Sequence, residues 1–272
     1  MNRMMSTATN TMGQLQTQLD IISNNIANLN TTGYKRREAN FQEMLYQQFN
    51  NHLNGGTEPG RLTPGGLRYG VGAKISHTSQ QFTAGPMIQT GRPLDVALEG
   101  KDHFFRVRVH ENGQDEIRYT KDGSFQLTPI QGNPYVLQLS TSAGHPVLGK
   151  DGQPIYVNND VKEASFSPTG SLVVTNMNGT KEEVDLSVAH INKPHLLKAA
   201  GSNLYAWPEE LEMDGTVADA NDVVFRAGTL EQSNVDMGKE MSELIVTQRS
   251  YQFNSKAVTM ADQMMGLVNE IR

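Results

Sequence analysis

The 272-residue chain is long enough to bury a substantial core, and its net charge of -6 argues against a general nucleic-acid binder, which needs a basic surface. The absence of cysteine excludes disulfides, thiolate nucleophiles and zinc sites built on sulfur. No apolar run is long enough to span a bilayer, and no signal-peptide pattern follows Arg3. We therefore expect no membrane insertion and no cleaved signal peptide.

A heptad pattern predicts a first helix over residues 2–28, because apolar residues recur in alternating steps of four and three. Arg3 and Asp20 are the only charged residues between Met1 and Asn30, so the flanks of this helix are polar but almost uncharged. Such a helix suits packing on several sides, which predicts an assembly element. The predicted assembly stripe consists of Met5, Met12, Leu15, Leu19, Ile22, Ile26 and Leu29.

An Asn/Thr/Gly cluster ends the first helix, so residues 1–34 form a predicted N-terminal segment. Residues 35–72 are interpreted as a connector, with a short helix predicted near Phe41 and a Gly/Pro-rich linker from residue 50 onward. The basic triplet of residues 35–37 is interpreted as a solvated or ion-paired surface, in preference to a contact for an acidic partner or lipid head groups.

Residues 73–195 are predicted to form a β-rich middle domain. Phe105, Val107 and Val109 alternate with polar residues, and turns containing glycine separate such runs at short intervals. A return connector over residues 196–232 then leads to a C-terminal helix within 233–272. Its predicted assembly stripe contains Leu244, Tyr251, Asn254, Val258, Ala261, Met265 and Val268. The fold class is predicted to be α+β, with the two long helices paired as a coiled-coil stalk and an all-β domain inserted between them.

No catalytic, metal or cofactor site is predicted. The histidines do not stand at chelating spacing along the chain and are interpreted as surface or turn residues. Asp95 and Glu99 could form a carboxylate pair for glycoside cleavage, but the run around Asp95 suits the start of a strand. The fragments 122–124 and 151–152 lack the spacing of calcium loops and are interpreted as turns. The histidines are His52, His77, His103, His110, His145, His190 and His195.

Residues 23–35 resemble the N-terminal signature of the bacterial flagellar basal-body rod and hook axial protein family. Further segments resembling this family are 66–72, 90–100, 119–125, 144–149, 230–236 and 248–264, so the resemblance extends over essentially the whole chain. The signature positions are Ser23, Asn24, Asn25, Ala27, Asn28, Asn30, Thr31, Gly33 and Tyr34.

Within that family the chain is most similar to the distal-rod type. The proximal-rod type, a rod–hook junction protein and a variant hook-basal-body protein remain alternatives. Residues 9–12 and 138–141 depart from the usual pattern of the distal-rod type.

The resemblance implies a structural protein and no enzyme, located in the flagellar basal body outside the cytoplasmic membrane. Its implied partners are copies of itself in a helical polymer, neighbouring rod and hook axial proteins, and the flagellar type III export apparatus. The implied polymer is a tubular drive shaft that carries torque from motor to hook.

Two alternatives from other classes stay open, a cell-wall-active enzyme and a non-flagellar fibre protein. The nearly uncharged first helix leads to one further hypothesis, that the terminal helices are loosely held in the monomer and order on polymerisation.

Overall fold

The computed structural model describes residues 2–44, 47–49, 67–69, 72–111, 113–130, 133–208, 215–220 and 223–270. The chain forms two compact units. The helical unit comprises Met1–Ile26, Arg37–Ser79 and Met237–Arg272, and the β unit comprises Ala27–Arg36 and Gln80–Asp236. Most of the predicted linker lies outside the described residues.

The helical unit contains both α-helices of the described chain and a short β-ribbon. Its elements are α1 (Asn2–Ala27), β1 (Arg37–Glu43), β2 (Gln47–Phe49), β3 (Leu67–Tyr69), β4 (Ala73–Gln80) and α2 (Met237–Glu270). Strand β1 pairs with β4, and β2 pairs antiparallel with β3. The first helix thus lies within one residue of its predicted bounds.

The β unit is built from short strands joined by turns. Its strands are β5 (Met87–Gln89), β6 (Val96–Leu98), β7 (His103–Glu111), β8 (Gln114–Thr120), β9 (Phe125–Ile130), β10 (Asn133–Thr141), β11 (Tyr156–Asn158), β12 (Val161–Phe166), β13 (Ser171–Asn176), β14 (Lys181–Asp185), β15 (Val188–Ile191), β16 (Lys198–Ala199), β17 (Leu204–Ala206), β18 (Val217–Asp219), β19 (Phe225–Ala227) and β20 (Thr229–Glu231). A 3-10 helix spans Pro194–Leu196.

The largest sheet of the β unit has six strands in the order β16-β17-β8-β7-β15-β18. Two three-stranded sheets accompany it, β11-β10-β9 and β12-β13-β14, and the pairs β19-β6 and β20-β5 join the two ends of the unit's sequence. Strands β7 and β8 pair antiparallel from Phe105 opposite Thr120 to Glu111 opposite Gln114.

Two apolar clusters form the core of the β unit on the two faces of β7. Phe105, Val107 and Val109 point into the larger cluster, while Phe104 points into the smaller one. Strand geometry explains this division, because successive side chains alternate between the faces of a sheet. The single tryptophan, Trp207, belongs to the smaller cluster and is 7% exposed.

The prediction that α1 and α2 pair as a coiled-coil stalk is wrong. The structure shows no coiled-coil seam between the two helices in its described residues, and the contact it gives between them is the hydrogen bond from Asn25 Nδ2 to Glu240 Oε2. Instead, side chains of α1 bond to the β-ribbon, where Gln14 Oε1 accepts a hydrogen bond of 2.8 Å from the backbone N–H of Ile75. Heptad spacing predicts that a helix has an apolar stripe, but it does not say which element covers that stripe.

The short helix predicted near Phe41 is also wrong, because the segment forms strand β1. Phe41 and Leu45 are four residues apart, and the intervening Gln, Glu and Met are good helix formers, so tertiary strand pairing overrides the local preference here. Pairing with β4 supplies backbone hydrogen bonds that this segment would otherwise lack.

Candidate assembly interface

The predicted stripe of α1 lies on its more buried side. Ile22 is 2% exposed, and the other members are half-buried. Apart from Ile22, Ala8 is the buried apolar residue of this helix, at 8% exposed. The half-buried members are Met5, Met12, Leu15, Leu19 and Ile26 of α1, and Leu29 just after its end.

The predicted stripe of α2 follows the same pattern over most of its length. Ala261 is 2% exposed, and five other members are half-buried, whereas Val268 is 55% exposed. The half-buried members are Leu244, Tyr251, Asn254, Val258 and Met265.

A second apolar stripe lies on the other side of α2. Val246, Phe253, Met260 and Leu267 follow one another at seven-residue intervals and are 64%, 70%, 56% and 59% exposed. At 3.6 residues per turn these positions project away from the first stripe. Sequence reasoning missed this outer stripe, although its seven-residue spacing is visible in the sequence.

The helical unit has a thin core. Among its described residues, the apolar ones that are buried are Ala8, Ile22 and Ala261. The β unit, in contrast, buries aromatic and branched side chains in both of its clusters. Exposed apolar residues concentrated on one element mark an interaction surface, since a soluble monomer rarely leaves a contiguous apolar patch uncovered.

Asn25 of the signature connects three elements of the helical unit. Its side-chain Nδ2 donates hydrogen bonds to the backbone oxygen of Arg37 at 2.9 Å and to Glu240 Oε2 at 3.1 Å. Its Oδ1 accepts one from the Arg37 N–H at 2.9 Å. Asn25 and Glu240 are 1% and 0% exposed, so this amide satisfies buried polar groups at the end of α1, the start of β1 and the first turns of α2.

The later part of the signature belongs to the β unit. The Gly33 N–H donates to the backbone oxygen of Glu231 at 2.8 Å, and Thr32 Oγ1 donates to Asp122 Oδ1 at 2.9 Å. Asn203 Nδ2 donates to the backbone oxygen of Thr32 at 2.6 Å. The turn is thereby tied to three distant parts of the β unit.

The other signature positions differ in exposure. Gly33 and Tyr34 are buried, Asn28 and Thr31 are half-buried, and Ser23, Asn24, Ala27 and Asn30 are exposed. Some residues of the Asn-rich signature are therefore buried and hydrogen-bonded within the fold, whereas others are exposed to solvent.

Lys35 forms a buried ion pair that sequence reasoning missed. Its Nζ lies 2.7 Å from Glu231 Oε1, and the two side chains are 0% and 3% exposed. Nζ also donates to the backbone oxygen of Thr83 at 2.8 Å, while the N–H of Gly85 donates to Glu231 Oε1 at 2.8 Å. The interpretation of residues 35–37 as a solvated or ion-paired surface is right that Lys35 is ion-paired and wrong that it lies at the surface, because its pair with Glu231 is buried.

Lys121 is a second buried cation in the β unit. Its Nζ donates to the backbone oxygen of Gly100 at 2.6 Å and lies 5.1 Å from the ring centre of Phe104. Burial lowers the pKa of Lys121 from 10.5 to about 8. The charged form of this side chain is thus costly in the folded protein.

The carboxylates considered for catalysis have other partners. Asp95 is 1% exposed and accepts a hydrogen bond of 2.6 Å from Thr90 Oγ1, whereas Glu99 lies half-exposed at 3.3 Å from Arg226. Asp122 accepts hydrogen bonds from the N–H and Oγ of Ser124, as expected for a turn. No helix within the described residues is long and apolar enough to cross a membrane.

Two family models match the ends of the chain. Residues 5–35 match the model described as flagella basal body rod protein, and residues 226–271 match the model described as flagellar basal body rod FlgEFG protein C-terminal. These segments contain α1 with the signature, and β20 with α2.

The chain is also similar over its full length to curated proteins. It is 39% identical to the flagellar hook-basal body complex protein FlhP of Bacillus subtilis, with 100% of both chains covered. It is 34% identical to the flagellar basal-body rod protein FlgG of Borreliella burgdorferi, over 100% of this chain and 99% of that protein. Identity to FlgG of Bacillus subtilis is 32%, over 93% of each chain.

Proposed function

The chain belongs to the flagellar basal-body rod protein family, and on that premise we propose that it is a structural subunit of the rod that polymerises through its terminal helices. The observation that carries this proposal is the outer stripe of α2, where Val246, Phe253, Met260 and Leu267 are all more than half exposed. A second copy of the chain, or a neighbouring axial protein, would cover this stripe.

The distribution of burial supports assembly over an isolated fold. The helical unit has few fully buried apolar residues of its own, so its helices gain more by packing on other chains than the β unit does. When the surface that binds and the surface that is bound differ, a contact repeats without closing and produces a filament. The predicted stripes of α1 and α2, and the exposed signature residues, would supply these surfaces.

The finer proposal is a subunit of the distal-rod type, within a tubular shaft that transmits torque from motor to hook. The protein would act mechanically, without catalysis or a cofactor, beside neighbouring rod and hook axial proteins. It would leave the cytoplasm through the flagellar type III export apparatus without a cleaved signal peptide. Segments 1–34 and 233–272 would be the assembly elements, and segment 73–195 the β-rich middle domain between them.

The test replaces the outer stripe and follows assembly in cells that lack the native gene. In the variant Val246→Gln, Phe253→Gln, Met260→Gln and Leu267→Gln, we expect export to continue while incorporation into purified basal bodies and motility are lost. The apolar area that drives association is removed, whereas the core of the β unit is untouched. Circular dichroism and Trp207 fluorescence of the purified chain check that it folds.

A matched control replaces exposed apolar residues of the β unit. Tyr135, Tyr156 and Met177 are 78%, 51% and 70% exposed, and we expect their joint replacement by Gln to leave incorporation intact. Normal basal bodies containing the α2 variant would contradict assembly through the outer stripe. Basal bodies that never contain the native chain would contradict the rod function itself.

A second candidate is a hook-basal-body complex protein of the FlhP type. It is favoured by one observation, that identity to FlhP of Bacillus subtilis is 39% whereas identity to FlgG of the same bacterium is 32%. Electron microscopy of labelled basal bodies separates the candidates, since density in the distal shaft supports the rod subunit and density elsewhere in the hook-basal body supports the second candidate.

A further inference from the structure

We propose that His103 and His190 of the β unit form a two-histidine site for a zinc ion. The residues are far apart in sequence but lie directly opposite each other, because β7 and β15 pair antiparallel with His190 opposite His103. Directly paired residues of neighbouring strands project from the same face of a sheet. Both side chains are half-buried, so their rings are held in place yet remain within reach of solvent.

The separation of the two rings fits shared coordination of one ion. Their centres are 5.2 Å apart and the ring planes are inclined by 47°. A Zn–N bond of about 2.1 Å and a ring-centre-to-nitrogen distance of about 1.1 Å place the ring centres of two tetrahedral histidine ligands about 5 Å apart. The observed separation of the ring centres is therefore compatible with coordination of one ion by both rings.

The surroundings of His103 orient its ring as a ligand. Its Nδ1 lies 2.9 Å from the backbone oxygen of Glu99, and at that contact the ring nitrogen is the donor. Donation through Nδ1 leaves the lone pair of Nε2 available for a metal, and a backbone carbonyl in this role is typical of metal-bound histidine. Gly100 permits this contact, since a Cβ at that position would lie 2.7 Å from His103 Nδ1.

The ring of His190 has a buried polar atom that lacks a partner among the described residues. Its Nδ1 is buried and makes no hydrogen bond to the described residues. A buried polar atom of this kind calls for an explanation, and a bound ion with its ordered water supplies one. The register of β15 between β7 and β18 fixes the backbone of His190, so its ring stays beside His103.

The ligand chemistry points to zinc rather than to calcium or magnesium. Imidazole nitrogens suit zinc and similar transition metals, whereas calcium and magnesium prefer oxygen ligands. Within the described part of the chain, no third His, Asp or Glu joins the pair to make a cluster of three. Two coordination positions are thus left for water in the free chain.

The test is calorimetric titration of the full chain with Zn²⁺ against three single variants. We expect one zinc per chain for the native protein, and binding weakened at least about tenfold in His103→Gln and in His190→Gln, because each removes one of two ligands. His110→Gln is the matched control. His110 is exposed and lies 2.7 Å from Asp115, so it offers an alternative place for weak surface binding.

Nuclear magnetic resonance of the native chain gives a second readout, which does not require any of the variants to fold correctly. On addition of Zn²⁺, the imidazole ¹⁵N resonances of His103 and His190 should shift together, while those of His110 stay unchanged. The proposal is overturned if no zinc binds, if binding survives both ligand variants, or if only His110→Gln weakens it.

Discussion

Gly33 turns the chain at a place where the β unit leaves no room for a side chain. Its φ is +68°, and a Cβ there would lie 2.6 Å from the backbone nitrogen of Asp122. Both the left-handed conformation and the close approach favour glycine. The positive φ and the close approach of Asp122 thus explain why a glycine is needed at position 33, which the sequence pattern alone indicated only as a turn.

Replacing Gly33 should therefore destabilise the β unit. We expect Gly33→Ala to lower the free energy of unfolding by roughly 2 kcal/mol more than Gly179→Ala, because strain and overlap add at residue 33. Gly179 also has a positive φ, of +77°, but open space around its Cβ position. Urea unfolding followed by Trp207 fluorescence measures both, and equal losses would contradict the close approach.

Lys121 makes stability depend on pH in the alkaline range. Burial lowers its pKa to about 8 in the folded chain, from an ordinary value of 10.5. Between these values the unfolded chain binds more protons, so the contribution of this side chain to the free energy of unfolding rises with pH. Below about pH 8 the full cost of the buried charge is present.

The expected gain of the native chain between pH 7.5 and pH 9.5 is roughly 2 kcal/mol relative to Lys121→Met. The variant keeps an unbranched side chain without a charge, so it should lack this slope. Trp207 fluorescence in urea at both pH values measures the difference. Parallel pH dependence of the two proteins would show that Lys121 does not titrate in this window.

At the scale of elements, α1 and α2 each carry an apolar stripe, and the structure shows no coiled-coil seam between them in its described residues. A single polar side chain of α1 bonds to both β1 and α2. The amide of Asn25 forms hydrogen bonds with the backbone of Arg37 and with the carboxylate of Glu240. A buried carboxylate gains stability from each hydrogen bond that it accepts, so the loss of one donor costs free energy.

Removing the Asn25 amide should loosen the start of β1. We expect Asn25→Ala to reduce the local opening free energy at the Arg37 amide by roughly 1–3 kcal/mol, since its N–H loses its acceptor and Glu240 loses a donor. Hydrogen exchange read by mass spectrometry or NMR measures this change. The exposed Asn30 provides the control, and equal effects of Asn25→Ala and Asn30→Ala would argue against the bridging role.

At the scale of the whole molecule, the two units differ in how much apolar surface each buries. The β unit contains both core clusters, whereas the helical unit buries only small or single apolar residues among those described. Local stability follows buried apolar contact, so the helical unit should open first. The outer stripe of α2 is consistent with a unit that completes its packing in a polymer.

Unfolding of the monomer should therefore occur in two steps. We expect the helical signal at 222 nm to fall at lower urea concentration than the change in Trp207 fluorescence, because Trp207 reports only on the β unit. Polymerised protein should lose the early step. A single coincident transition in the monomer would contradict the hypothesis that the terminal helices are loosely held.

Local patterns in the sequence determine the first helix, the strands of the β unit and the family of this protein. The four-three spacing predicts α1, and the alternation around Phe105 and Val107 predicts strand β7. Both predictions succeed because the repeat of apolar residues in a helix or a strand depends only on residues close together in the sequence. The Asn-rich signature indicated the family, and the full-length relatives confirm it. The outer stripe of α2 is also visible in the sequence as apolar residues at seven-residue intervals, but it was not predicted.

Tertiary structure alone decided which distant residues meet. It brought Lys35 to Glu231, set His103 beside His190, and bonded Gln14 of α1 to Ile75 of β4. A heptad stripe or a single charge has many suitable partners in a chain of this length. Only the paired register of the strands and the packing of both units select one of them, because that choice depends on contacts summed over the whole fold.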